Sequence, residues 1–191
     1  MKGKRYMSNI WITSDWHLGH DKPFVYEPRG FKSAFEMNEE LLYLHNHLVS
    51  ENDDVYVLGD LTVGNAEVGM KYIKEMNGRL HIIRGNHDSD KKIKEYAEMP
   101  NVVEVVDAKF LHYSKYHFFL SHYPALTANY DEKSLKQKMI NLCGHVHTPD
   151  KFADFDKGLI YHCEVDAHNN KPVLLDDIIQ EIKTKMREKN E

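Results

Sequence analysis

Five short polar blocks, each closing an apolar, β-prone run, constrain this chain more than any other feature. They are Asp15-Trp16-His17, Gly59-Asp60, Gly85-Asn86-His87-Asp88, Ser121-His122 and Gly144-His145-Val146-His147. Residues 10–14 run into the first, 55–58 into the second, 80–83 into the third, 118–120 into the fourth and 140–143 into the fifth. Nitrogen and oxygen donors therefore recur at predicted strand ends. In open α/β proteins that is where ligands gather, because loops leaving the carboxyl ends of strands bring distant side chains together.

Imidazole with carboxylate suits Mn, Fe, Zn or Ni better than Ca or Mg, and the lack of a thiolate cluster argues against a structural zinc site. Asp15, His17, Asp60, Asn86, His122, His145 and His147 are too many donors for one tetrahedral ion. Two ions sharing a bridging carboxylate would use them all. Paired metals roughly 3.5–4 Å apart are an established device for in-line attack at phosphorus.

In these blocks the chain resembles the calcineurin-like metallophosphoesterases, whose signature reads D-x-H, G-D, G-N-H-[DE], H, G-H-x-H. All five are present in order across residues 15 to 147. The likeness is greatest to the small bacterial and phage members, in which D-x-H-x-G-H precedes an Arg-containing segment, as Asp15 to His20 precede Arg29 here. The resemblance implies an α/β fold in which a two-sheet β-sandwich is flanked by helices in four αββα layers. It also implies a dinuclear centre and phosphoester hydrolysis.

Carried over residue by residue, the family pattern implies that Asp15, His17 and His147 bind a first metal and Asn86, His122 and His145 a second, with Asp60 bridging. It further implies in-line attack by hydroxide shared between the ions, with His87 donating a proton to the leaving oxygen. Mn²⁺ is the expected metal, with Fe, Zn or Ni as alternatives. Asp88 is the expected partner of one His87 ring nitrogen, holding the other toward the leaving group. The alternative reading is a non-catalytic protein-interaction scaffold on the same fold, and the intact His87 and ligand set argue for the enzyme.

Phosphate contact is expected from Arg29, since an arginine fork grips phosphate oxygens. Arg84 stands just before Gly85 and could equally satisfy a neighbouring carboxylate. His20 shares the first ligand loop and is a candidate for substrate contact, and Tyr123 could place its ring at the cleft wall against a base or aryl group. Asp166-Ala167-His168 repeats the D-x-H spacing, but the metal set is already full, leaving it at most a supporting role. His45, His47, His81, His112, His117 and His162 read as core or surface residues.

At 191 residues the chain suits a single domain with a real core, spanning residues 1–191. Its net charge of −5 disfavours a broad grip on nucleic acid, which demands a basic face, so a small phosphoester or nucleotide substrate is preferred. No arginine follows Gly59-Asp60 as in the phosphoprotein phosphatases of this family. Cys143 and Cys163 form no CxxC and read as buried reduced thiols. The basic stretch Met1 to Met7 leads into no secretory segment, and no run approaches the ~20 apolar residues of a membrane span. The cytoplasm is therefore expected, and the oligomeric state is left open.

Between the strands, Ser33-Ala34-Phe35-Glu36 forms a capping-box pattern ahead of Leu41, Leu42, Leu48 and Val49 at helical spacing, with Phe35 on the same apolar face. Asn65 can cap a second helix bearing Val68, Tyr72, Ile73 and Met76, and Ser89 or Asp90 can open a third. This β-α-β-α-β-α opening predicts a parallel sheet. From Val102 the helical rhythm fails, predicting a second, more antiparallel sheet. Asp176-Asp177 open a last amphipathic helix through Ile178, Ile179, Ile182 and Met186, ending in a charged, solvated tail over residues 187–191.

Overall fold

Alternation along the central short strands sorts the apolar side chains into two cores, one on either face of a mostly parallel sheet. The computed structural model describes residues 8–128 and 132–189, so the basic N-terminal stretch and the last two residues of the charged tail lie outside the described residues. The first strands and helices alternate as β1 (Ile10–Thr13), α1 (Pro23–Tyr26), α2 (Ala34–Leu48), β2 (Asp54–Val57), α3 (Ala66–Glu75), β3 (Arg79–Ile83), α4 (Asp90–Ala97) and β4 (Val102–Val106). Then follow β5 (Ala108–Tyr113), β6 (Tyr116–Ser121), β7 (Met139–Cys143), α5 (Phe155–Gly158), β8 (Ile160–His162), a 3-10 turn (Val165–Ala167), β9 (Val173–Leu174) and α6 (Leu175–Glu188).

The first sheet has the order β4-β3-β2-β1-β9, with β1 to β4 parallel and β9 antiparallel at the edge beside β1. Val55, Val57, Leu80 and Ile82 share its helix-facing side and join Met37, Leu41, Ile73 and Tyr96 in one buried core. Ile12, Tyr56, Leu58 and Ile83 face the second sheet and meet Phe118, Leu120, Ile140 and Leu142 there, with Ile178, Ile179 and Ile182 of α6 completing this second core. Full burial of each such aliphatic side chain is worth about 1.5–3 kcal/mol. The result is the expected α/β architecture of two sheets flanked by helices.

The helix caps follow the sequence. Ser33 accepts the N–H of Glu36, Asn65 that of Val68 and Ser89 that of Lys92. In α2, however, Phe35 is 68% exposed, and the buried stripe is Ala34, Met37, Asn38, Leu41 and His45. Two polar residues in the stripe hid its true phase. Cys143 and Cys163 are buried free thiols, as expected.

The second sheet, β5-β6-β7-β8, differs from expectation. Only β5 and β6 are antiparallel, whereas β6–β7 and β7–β8 are parallel. Loop length explains the difference: a two-residue turn at Ser114 and Lys115 can only reverse the chain, while the long connections 122–138 and 144–159 allow crossovers between parallel neighbours. The Val102–Val106 run also belongs to the first sheet, because α4 returns it parallel to β3. Strand β9 has two residues, too few to show an alternation.

Candidate metal centre

The carboxyl ends of β1, β2 and β3 in one sheet and of β6 and β7 in the other open onto the same edge of the sandwich, and each carries one block. Backbone bonds lace these loops together: Asp15 N–H donates to Gly59 O (3.1 Å), His17 N–H to Asp60 O (3.1 Å) and Gly144 N–H to His122 O (3.0 Å). Gly85 and Gly144 are required by close approach. A Cβ on Gly85 would overlap Asp60 Oδ1, and one on Gly144 would overlap Ser14 Oγ and Asp15 Oδ2.

The ligand-type residues hold unusual backbone conformations. Asp15, His17, Asp60, His145 and His147 have φ of 58°, 54°, 53°, 77° and 55°, in the left-handed region. For residues with a Cβ this costs on the order of 1 kcal/mol each. Strain gathered on residues that share a loop cluster is typical of functional sites.

Two groups of donors form. Asp15, His17 and His147 make one, and Asp15, Asp60 and His122 the other, the donor atoms of each lying within 4.8 Å of one another. Asp60 Oδ2 lies 3.8 Å from His17 Nε2 and 3.4 Å from His122 Nε2, between the two halves. On the second side, Asn86 Oδ1 is 2.8 Å from both His122 Nε2 and His145 Nδ1. All seven predicted ligands thus meet at one place.

The donors fit a cation. Asp15 Oδ1 and His17 Nε2 are buried and have no hydrogen-bond partner among the described residues. A buried acceptor without a partner costs roughly 1–3 kcal/mol, which a bound ion removes. His122 Nδ1 donates to Leu58 O at 2.8 Å, which in the neutral ring turns the lone pair of Nε2 toward Asn86 and Asp60. Burial also pushes the Asp15 carboxyl up to about 6, despite the imidazoles of His147 and His122 nearby. It brings the His17 imidazole down to about 4, so that ring stays neutral and able to ligate. Burial alone would raise Asp60, but the His122 and His17 rings beside it and the hydrogen bond from the His87 N–H outweigh burial and hold the carboxyl below the usual range.

His87 projects from the exposed lip of this cluster. Its backbone N–H donates to Asp60 Oδ1 (2.8 Å) and its ring lies 5.6 Å from that of His17. Asp88 does not hold that ring, contrary to the sequence expectation. Its Oδ2 accepts the N–H groups of Asp60 (3.0 Å) and Gly85 (2.8 Å), and Oδ1 accepts the Tyr96 hydroxyl (2.9 Å). Two buried backbone donors at the ends of β2 and β3 need an acceptor there, and this carboxylate, 1% exposed, turns inward to supply it.

Arg29 is likewise turned inward rather than presented to a phosphate. Nε and Nη2 grip Asp166 at 2.9 Å each, Nη1 donates to Trp16 O (3.0 Å) and Nη2 also to Asp15 O (2.8 Å). Arg84 donates to Asp88 O and pairs with Asp90, satisfying a neighbouring carboxylate. His20 stacks on His17 at 5.4 Å, with its Nδ1 3.2 Å from His17 Nδ1. Tyr123, 52% exposed, sets its ring 4.6 Å from that of His145. A cleft of about 280 Å³ opens beside His17 and His147, with Phe24, Val25 and Pro28 as its apolar wall.

Sequence reasoning undervalued Asp166, whose Oδ2 accepts from His147 Nδ1 at 2.9 Å. The repeated D-x-H spacing was the available signal. The His168 half of that repeat points elsewhere, its Nε2 meeting His162 O at 3.0 Å.

A family model described as the calcineurin-like phosphoesterase superfamily domain matches residues 9–168. The chain belongs to that superfamily. It is 31% identical over 181 residues to an uncharacterised protein of Methanocaldococcus jannaschii, the match covering 91% of each. It is 35% identical over 85 residues to a protein of Mycobacterium phage D29, across 43% of this chain and 41% of that one. Among solved structures, a protein of unknown function from Aquifex aeolicus superposes with a TM-score of 0.70 at 23% identity, over 91% of this chain and 99% of that one, which shows a shared fold. No helix among the described residues is long and apolar enough to cross a membrane.

Proposed function

We propose that this chain is a phosphoesterase that uses two divalent ions, with Mn²⁺ the expected metal, to hydrolyse a phosphodiester or phosphomonoester of a nucleotide or nucleic-acid-derived substrate. The observation that carries the reading is the gathering of seven donor side chains at one edge of the sandwich, with Asp15 Oδ1 and His17 Nε2 buried there and unpartnered among the described residues. When bound, such ions polarise phosphoryl oxygens and lower the pKa of water. Asp15, His17 and His147 would hold the first, Asn86, His122 and His145 the second, with Asp60 shared. The intact set supports the enzyme over a protein-interaction scaffold.

The chain's own groups supply the rest. His87 stands at the mouth with its backbone fixed on Asp60 Oδ1, free to deliver a proton to the leaving oxygen. His20 and Phe24, whose rings meet at 5.6 Å, rim the first side, and Tyr123 rims the second beside His145. These aromatic faces suit a base or aryl substituent, with apolar body and edge donors within reach. Arg29 belongs to the support of the loops in this reading. The net charge of −5 favours a small substrate over a long nucleic acid.

A turnover screen in Mn²⁺ over aryl monoesters, aryl diesters, cyclic nucleotides, dinucleoside polyphosphates and short RNA tests the reading, alongside elemental analysis of the purified chain. Two ions per chain and a preferred nucleotide-type ester are expected. Inactivity across the panel with both ions bound would overturn the enzymatic assignment.

A further inference from the structure

Asp166 lies in the 3-10 turn after β8, with its side chain 17% exposed and both oxygens committed. Oδ1 accepts from Arg29 Nε at 2.9 Å, and Oδ2 accepts from Arg29 Nη2 and His147 Nδ1, each at 2.9 Å. The same guanidinium reaches the carbonyls of Asp15 and Trp16. One arginine therefore joins the backbone of the first block to the carboxylate that holds the last histidine of the fifth. The two residues so joined, Asp15 and His147, both sit in the left-handed region, at φ of 58° and 55°.

We infer that Asp166, seated on the Arg29 fork, is the positioning residue of the first metal site, fixing the tautomer and direction of His147. A carboxylate can only accept, and the two Nη2 hydrogens of Arg29, 3.4 Å from Nδ1, are already directed at Asp166 and Asp15, so the proton of the neutral ring stays on Nδ1. Nε2 then turns its lone pair inward, 3.5 Å from the unpartnered Asp15 Oδ1. Among the described residues, no other imidazole of the ligand set has its outward nitrogen on a carboxylate. His122 rests on the Leu58 carbonyl, and His17 Nδ1 faces His20. The support is therefore one-sided, and its loss falls on the first ion alone. Carboxylates that orient a ligating histidine typically contribute 10–100-fold in metal affinity.

This inference rests on the two-ion reading, and the experiment separates the two. Mn²⁺ is titrated calorimetrically into the metal-free wild-type chain and into Asp166→Asn. The variant is expected to bind one ion 10–100-fold more weakly and the other unchanged. In a His147→Gln background, Asp166→Asn should add nothing, because its route through the imidazole is gone. Two unchanged affinities, equal weakening of both, or an undiminished effect in the His147→Gln background would each overturn the inference. A wild-type chain holding a single ion would overturn the two-ion reading, and Asp166→Asn would still decide this inference by weakening that ion or sparing it. Should the variant fail to fold, ring ¹H–¹⁵N spectra of the Zn²⁺-loaded wild type decide it. His147 is expected as the Nδ1–H tautomer, and the Nε2–H tautomer would sink the idea.

Discussion

Asp60 accepts the backbone N–H of His87 at 2.8 Å through Oδ1, while its Oδ2 lies between His17 Nε2 and His122 Nε2 at 3.8 and 3.4 Å. The carboxylate expected to be shared by both ions thus also anchors the residue expected to deliver the proton. The two expected roles meet on one side chain, and substitutions can take them apart.

Asp60→Ala removes both functions. The chain should lose both ions, since the carboxylate serves each half, and turnover of an aryl phosphodiester in Mn²⁺ should fall by at least ~10²–10³-fold, the scale of losing one preorganised electrostatic contact. Asp60→Asn keeps an acceptor for the His87 N–H but not the charge, so it should also bind fewer than two ions. Elemental analysis reads both results, and two retained ions in Asp60→Ala would remove Asp60 from the shared position.

His87→Ala tests proton delivery alone. Among the described residues the ring meets the edge of His17 but makes no hydrogen bond to a donor group, so metal content should stay near wild type. The p-nitrophenolate group leaves readily without a proton, whereas an alkoxide does not. The loss should be small on the aryl ester and about 10²–10⁴-fold on a nucleoside or alkyl ester. Equal losses on the two substrates, or loss of an ion, would contradict the role.

Gly144→Ala probes the packing beneath the first site. An alanine methyl there overlaps Asp15 Oδ2 and Ser14 Oγ, and Asp15 Oδ2 already accepts from Ser14 Oγ (2.6 Å) and from the His145 N–H (2.9 Å). The crowding should cost about 1–3 kcal/mol of stability, visible in urea melts of the metal-free chain. It should also displace Asp15 and weaken metal binding, and a variant with unchanged Mn²⁺ affinity would show that the loop relaxes without moving the carboxylate.

The convergence of the seven expected donors was legible because each follows a strand, and strand ends are where α/β chains converge. What stayed hidden depended on partners that no local pattern announces. Arg29 and Asp166 are 137 positions apart, yet they form the fork that carries His147. Asp88 follows His87 directly, but the unsatisfied N–H groups of Asp60 and Gly85 claimed its carboxylate. The second sheet's parallel pairs were set by loop lengths, not by strand composition. His45 escaped notice for a different reason: a histidine on an apolar stripe gives no sign of how its ring is satisfied.

That histidine makes the acid behaviour of the fold predictable. The His45 ring is fully buried, its Nε2–H donates to Asn77 O at 2.8 Å, and Nδ1 is buried without a partner among the described residues. Charging the ring would place an N–H at Nδ1 with nothing to accept it, and burial brings its pKa from 6.5 to about 4. A pKa depressed in the folded state contributes stability that is fully present above pH 6.5 and is lost as pH falls through about 4. At about 1.36 kcal/mol per pH unit this amounts to about 3 kcal/mol. His45→Gln does not titrate here. With chelator present throughout, urea denaturation should therefore show the wild type losing up to about 3 kcal/mol more than the variant between pH 6.5 and 4. Parallel pH profiles for the two proteins would mean that the buried ring is not held neutral.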